Sequence, residues 1–115
     1  MNKSSKEFKA DAGKSNPLLL YLGLPRALTA ANRVLDYGAQ KYEAHSWQSV
    51  AVERCAAAAR RHQRARDLGE LADDESGLLH LAHEATNILF QLEMKCRDAG
   101  LDWYNFNKSP QDHKT

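Results

Sequence analysis

The sequence predicts an all-α fold, a small helical bundle completed by oligomerisation. Alternation of apolar and polar residues is absent, and alanine, leucine and arginine dominate where a strand would carry β-branched residues. Apolar residues also recur at helical spacing in three separate stretches. A chain of 115 residues buries one core and does not support two.

The polar residues 1–16 are expected to form an N-terminal arm, 17–106 the helical domain and 107–115 a polar tail. The first helix opens at Pro25, a favoured first-turn residue, and carries Leu28, Ala31 and Leu35 on one side before ending near Tyr42 or Glu43. The second runs from Ser49 as N-cap to Leu68, with Gly69 placed to end it in a left-handed conformation. Ala51, Cys55, Ala58, Ala59 and His62 share one side of it, and Arg54, Arg60, Arg61 and Arg64 form a basic strip. The third spans about Ser76 or Gly77 to Cys96, with Gly100 beyond its end. Its expected core stripe is Leu78, Leu81, Ala82, Ala85, Ile88, Leu89 and Leu92, beside a polar stripe of His80, His83, Glu84, Asn87 and Gln91. Apolar residues on more than one flank imply further helices supplied by a second subunit, hence a homo-oligomer. The aromatic run Leu101 to Phe106 is expected to pack over a bundle end or to line a base pocket.

Composition narrows the function. A formal charge of +1 makes nucleic-acid binding an unlikely whole-surface property, so affinity for polyanions has to be local. Cys55 and Cys96 are too few and too separated for a zinc knuckle or disulfide framework. The apolar run Pro17 to Pro25 is shorter than the ~20 residues a bilayer crossing needs, and no apolar segment follows the basic start, so a cytoplasmic protein without membrane contact is expected. A phosphate-binding glycine loop, an H-E-x-x-H helix, a G-x-S-x-G elbow and a His-Asp dipeptide are all missing.

The stretch Gly69 to Asn87 concentrates Glu70, Asp73, Asp74, Glu75, His80, His83 and Glu84. Two imidazoles three positions apart on a helix point the same way and can share a metal, and nearby carboxylates favour Mg2+ or Mn2+. The plain alternative is a solvated acidic loop followed by a polar helix face. Lys41 and the arginines of the second helix add the cationic groups that phosphoryl transfer requires. Trp47 either stacks a purine or plugs a helix junction.

The succession "KADAGKSNPLLL", "LPRAL", "VLDYGAQKYEAHSW", "AAARRH", "GELADDESGLLHLAHEATNILF" resembles the dATP/dGTP diphosphohydrolase N-terminal domain family of bacteriophages, which is related to the MazG-like all-α NTP pyrophosphatases and includes the MazZ proteins. The resemblance implies an oligomer, dimer or tetramer, that uses two or three Mg2+ or Mn2+ ions to cleave a purine (d)NTP between its α and β phosphates. In MazZ-like members it implies dGTP, with GTP also possible, giving the monophosphate for 2-aminoadenine synthesis. It places metal on Glu70, Asp73, Glu75, His80 and His83; Glu84, on the same stripe, is a candidate added ligand, and a carboxylate such as Glu70 or Glu75 is the expected catalytic base. Substrate contacts fall on Lys14, Lys41, Trp47, Arg61 and His62, His62 being open to either metal or phosphate, and Asn87 of the polar stripe is a further substrate-binding candidate. Either Glu70 and Asp73 or His80 and His83 match the E-x-x-D pair of MazG relatives. The sequence departs from the family pattern at Ser46, Leu79 and Glu84. The competing reading is a non-catalytic helical oligomer that binds nucleic acid through the basic strip or senses nucleotides.

Overall fold

The computed structural model describes residues 14–101. The arm up to residue 13 lies outside the described residues, as do the aromatic run beyond Leu101 and the tail. Four α-helices and one 3-10 turn make up the described chain, without a strand.

A short helix that was not expected from the sequence, α1, covers Leu18–Gly23; the Asn16 side chain caps it by accepting the Leu18 N–H at 3.1 Å. Helix α2 spans Pro25–Lys41, with proline in its first turn as predicted. A left-handed His45 (φ 63°) then turns the chain into the 3-10 helix Ser46–Ser49. Ser49 is not the N-cap of the next helix: its hydroxyl donates to the Ser46 carbonyl at 3.1 Å, closing that turn instead. Helix α3 covers Val52–Asp67 behind an extended Ala51. Gly69 takes the predicted left-handed conformation (φ 98°) after it.

Helix α4 spans His80–Asp98 and starts later than the sequence suggests. The residues before it fold back on themselves instead: Asp73 N–H donates to the Leu78 carbonyl, Gly77 N–H to Asp73, and an isolated antiparallel bridge joins Ala72 and Leu79. Gly77 supplies the positive φ, 73°, that this reversal needs.

Helix α4 packs on α3 and more lightly on α2. Its inward side is not the expected leucine stripe. His80, Ala82, His83 and Thr86 are buried, whereas Leu81, Ile88, Leu89 and Leu92 are each about half exposed. The reason is steric and polar together. The small residues Cys55 and Ala59 of α3 let α4 approach closely, and imidazoles and a hydroxyl that find hydrogen-bond partners fill the seam. Thr86 donates to the Ala82 carbonyl at 2.8 Å and reaches the Ala31 carbonyl of α2 at 3.5 Å. The buried apolar core of the described residues is correspondingly thin: Val34, Cys55, Ala59 and Ala82.

Candidate metal centre

Three elements converge where α3 ends and α4 begins. His62 comes from the last turns of α3, Asp73 from the intervening loop and His80 from the first turn of α4. One donor atom of each lies within 4.8 Å of the other two, so they could hold a single cation. The two Nδ1 atoms of His62 and His80 are 2.8 Å apart.

Each donor is oriented by a neighbour. The Glu70 carboxylate pairs with His80 Nε2 at 2.5 Å. That contact turns the other ring nitrogen, Nδ1, toward His62 and the centre. Asp73 Oδ2 accepts the backbone N–H groups of Ser76 at 2.8 Å and Glu75 at 3.1 Å. Burial alone raises the Asp73 carboxyl, but the Ser76 hydrogen bonds and the nearby imidazoles of His83 and His62 outweigh it and leave it below its ordinary value. His62 is held below its ordinary value by burial first and then by the neighbouring imidazoles of His83 and His80. Neutral imidazole and ionised carboxylate are the forms that bind metal.

His83 lies directly behind this trio. Its ring stacks on His62 with centroids 4.5 Å apart, meets Tyr37 edge-on, and shares a 2.7 Å hydrogen bond from Nε2 to the Ser76 hydroxyl. Burial keeps its pKa below the ordinary value as well.

The centre opens onto a cavity of about 700 Å3 whose walls include Lys41, Trp47, Arg61, His62, Asp73, Glu75 and His83. Seven residues nominated from the sequence therefore share one space. Lys41 crosses its mouth to Glu75, with Nζ to Oε1 at 2.6 Å, and the Tyr37 hydroxyl donates to the same oxygen at 2.5 Å. Trp47 stacks on Phe90 with centroids 4.3 Å apart and planes 8° apart, so one indole face already has a partner. It plugs the junction and forms a wall of the cavity.

The other nominated residues stand elsewhere. Glu70 and His80 are not on the cavity wall, although both belong to the hydrogen-bonded centre. Glu84 faces the other flank of α4 and pairs with Arg66 at 2.8 Å. Asn87 donates to the His83 carbonyl of its own helix at 2.9 Å. Lys14 is exposed ahead of α1 and does not line the cavity. Sequence reasoning missed Tyr37 as a site residue and had Ser76 only as a member of the family motif from Gly69 to Gly77, without its hydrogen bond to His83. Tyr37 stands one helical turn before Lys41, so the i, i+4 spacing was a usable signal. The role of Ser76 depends on a tight loop that no periodicity announces.

An all-helical domain with two imidazoles and one carboxylate gathered beside a cavity that carries Lys41 and Arg61 together with several carboxylates defines the class: a helical protein with a candidate metal site. Residues 4–103 match the family described as dATP/dGTP diphosphohydrolase, N-terminal, and the chain belongs to that family. Over 82 residues it is 40% identical to a dATP/dGTP diphosphohydrolase of Salmonella phage PMBT28, covering 71% of this chain and 27% of that relative. The chain thus spans about a quarter of the length of the curated relative it matches. No solved structure matches it.

Proposed function

We propose that this chain is a MazG-like, metal-dependent nucleoside triphosphate pyrophosphohydrolase domain, spanning about residues 17–106, that converts a purine (d)NTP to its monophosphate and pyrophosphate. The observation that carries the reading is that His62 and Asp73, two of the three donors of the His62, Asp73 and His80 centre, line a cavity that also bears Lys41 and Arg61. The name of the phage relative supports a purine deoxynucleotide substrate. dGTP, with GTP beside it, is the preferred substrate on this reading, feeding 2-aminoadenine nucleotide synthesis.

The donor set fits a divalent cation, because two neutral imidazoles and an ionised carboxylate leave a net attraction for one. Such a cation supplies charge neutralisation at the phosphate oxygens and lowers the pKa of water. Lys41 and Arg61 bind the phosphates, and their fixed charge stabilises the leaving pyrophosphate. Trp47 bounds the base side of the cavity. Glu75 accepts a proton from attacking water. While paired with Lys41, and to a lesser degree with Tyr37, its carboxyl is held below the ordinary range and is a weak base. When Lys41 turns to phosphate that hold relaxes and Glu75 becomes a stronger base.

The same reading includes a homo-oligomer in the cytoplasm. The half-exposed leucines of α4 and the exposed Leu18 to Leu24 run leave more apolar surface than a monomer of this size usually shows. No described helix is long and apolar enough to cross a membrane.

The test is product analysis with each of the eight common NTPs and dNTPs, in Mg2+ or Mn2+ and in EDTA. Metal-dependent monophosphate and pyrophosphate, without a diphosphate intermediate, is the expected result. Folded protein that turns over no nucleotide overturns the enzyme reading, and steeply salt-dependent nucleic-acid binding would then replace it.

A further inference from the structure

We infer that His45 is a specificity-determining residue, which distinguishes purine from pyrimidine nucleotides by a hydrogen bond from its imidazole to the edge of the base. The inference rests on the nucleotide reading of the cavity and deepens it.

Backbone conformation sets His45 apart. Among the described residues it is the one non-glycine residue with a positive φ, at φ 63° and ψ 13°. A side chain at such a position crowds its own backbone, so glycine is the ordinary occupant, and asparagine, aspartate and histidine are the side-chain-bearing residues found there most often. A turn that required only this geometry would be served by glycine with less strain. What histidine adds is its ring. Gln48 braces the arrangement: its backbone N–H and its Nε2 both donate to the His45 carbonyl, at 3.2 and 3.3 Å.

Position gives that ring a task. Lys41 closes α2, His45 follows four residues later and Trp47 two residues after that, and all three line the same cavity. A nucleotide that lays its phosphates on Lys41 and Arg61 and its base toward Trp47 therefore brings the base alongside His45. The wall near Trp47 continues with Val50, Ala58 and Phe90, whose side chains can cover a base but cannot hydrogen-bond to it. Apolar cover discriminates weakly among bases, whereas a hydrogen-bonding group that meets the base edge discriminates strongly, because the wrong base leaves it unpaired. His45 stands exposed on this wall, and among the described residues its ring has no hydrogen-bond partner. An imidazole keeps at least one N–H donor in either protonation state. That donor is available to a base.

The experiment reads binding without turnover. The full chain, in Mg2+, is titrated calorimetrically with the α,β-imido analogues of dGTP and dCTP. The wild-type chain is expected to bind the purine analogue at least ~10-fold more tightly. His45→Gly should cut this preference ~10-fold with the melting temperature unchanged, because glycine takes the left-handed conformation freely. His45→Asn should recover most of the preference, since asparagine tolerates the same backbone and offers both a donor and an acceptor. A His45→Gly chain that retains the wild-type preference overturns the inference and leaves the nucleotide reading intact. A wild-type chain that binds both analogues equally also overturns it, as does a preference that His45→Asn does not restore at all. A purine preference that depends on His45 in a chain that hydrolyses no nucleotide refutes the enzymatic reading and leaves this one standing.

Discussion

The Lys41 ammonium and the Glu75 carboxylate meet at 2.6 Å across the mouth of the cavity, joining α2 to the loop that carries Asp73. Hydrogen bonding to Glu75 holds Lys41 above its ordinary pKa, and the same contact holds Glu75 below its own. Both side chains are well exposed, so solvent screens the pair and it adds little to the fold. Its consequence falls on ligand binding: a carboxylate occupies the cation that a phosphate would use. Lys41→Met is expected to weaken nucleotide binding ~10–100-fold while leaving the melting temperature nearly unchanged. Glu75→Gln is expected to preserve or improve binding and to lower kcat. Fluorescence titration with a non-hydrolysable nucleotide, paired with steady-state kinetics, separates the two effects.

Stability should fall in mild acid. Burial lowers the pKa of both His62 and His83 in the folded chain, with His80 adding repulsion to each. The unfolded chain therefore takes up protons more readily than the folded one. The contribution of these rings is complete above the ordinary histidine pKa of about 6.5 and is lost as pH falls below it toward the depressed folded values. Thermal melts in EDTA at steps from pH 8 to pH 5 should show the melting temperature declining below about pH 6.5. His83→Gln should flatten that decline; a decline of the same size would assign the effect to other groups.

Much of this arrangement was legible in the sequence. Pro25, Gly69 and Gly100 mark helix ends through their own backbone restrictions, so α2, the end of α3 and the end of α4 could be read locally. Lys41, Asp73, Glu75 and His83 could be nominated because phosphate and metal chemistry demands those groups, the family resemblance singled out Arg61 and His62, and all six share one cavity. What could not be read was direction. On α4 the apolar stripe and the histidine stripe are adjacent, and periodicity cannot say which one meets α3. The contacts answer in favour of the histidines, because each finds a partner: Glu70 and His62 for His80, Ser76 for His83. Ser49 misled for a similar reason, since a hydroxyl that could cap α3 also fits the preceding 3-10 turn.

Glu84 offers a way to separate support of the fold from the chemistry at the centre. Its carboxylate, nearly buried, accepts from Arg66 Nε on Oε1 at 2.9 Å, with Nη2 2.8 Å from the same oxygen, an ion pair that fastens α4 to the end of α3. Glu84→Gln leaves the guanidinium with a weaker acceptor and should cost about 1–2 kcal/mol of stability, measured by urea denaturation. Metal stoichiometry by calorimetry should stay the same. Loss of a bound ion in this variant, with the fold intact, would place Glu84 among the ligands instead.

The leucines left outside α4 predict assembly. Leu81, Ile88, Leu89 and Leu92 recur at helical spacing along one side of the helix and each is about half exposed, while the described interior buries only four apolar side chains. Covering a large aliphatic side chain fully contributes about 1.5–3 kcal/mol, so burying the exposed halves of these four adds a stabilisation that is large beside a core of Val34, two alanines and a cysteine. Sedimentation at micromolar concentration should find a dimer or tetramer. The double variant Ile88→Asp, Leu92→Asp should shift it toward monomer and lower its melting temperature, because the charge is placed where a second chain would have to desolvate it. A wild-type chain that sediments as a stable monomer, with the double variant melting at the same temperature, would show that the stripe is tolerated by water and that the histidine seam holds the helices together unaided.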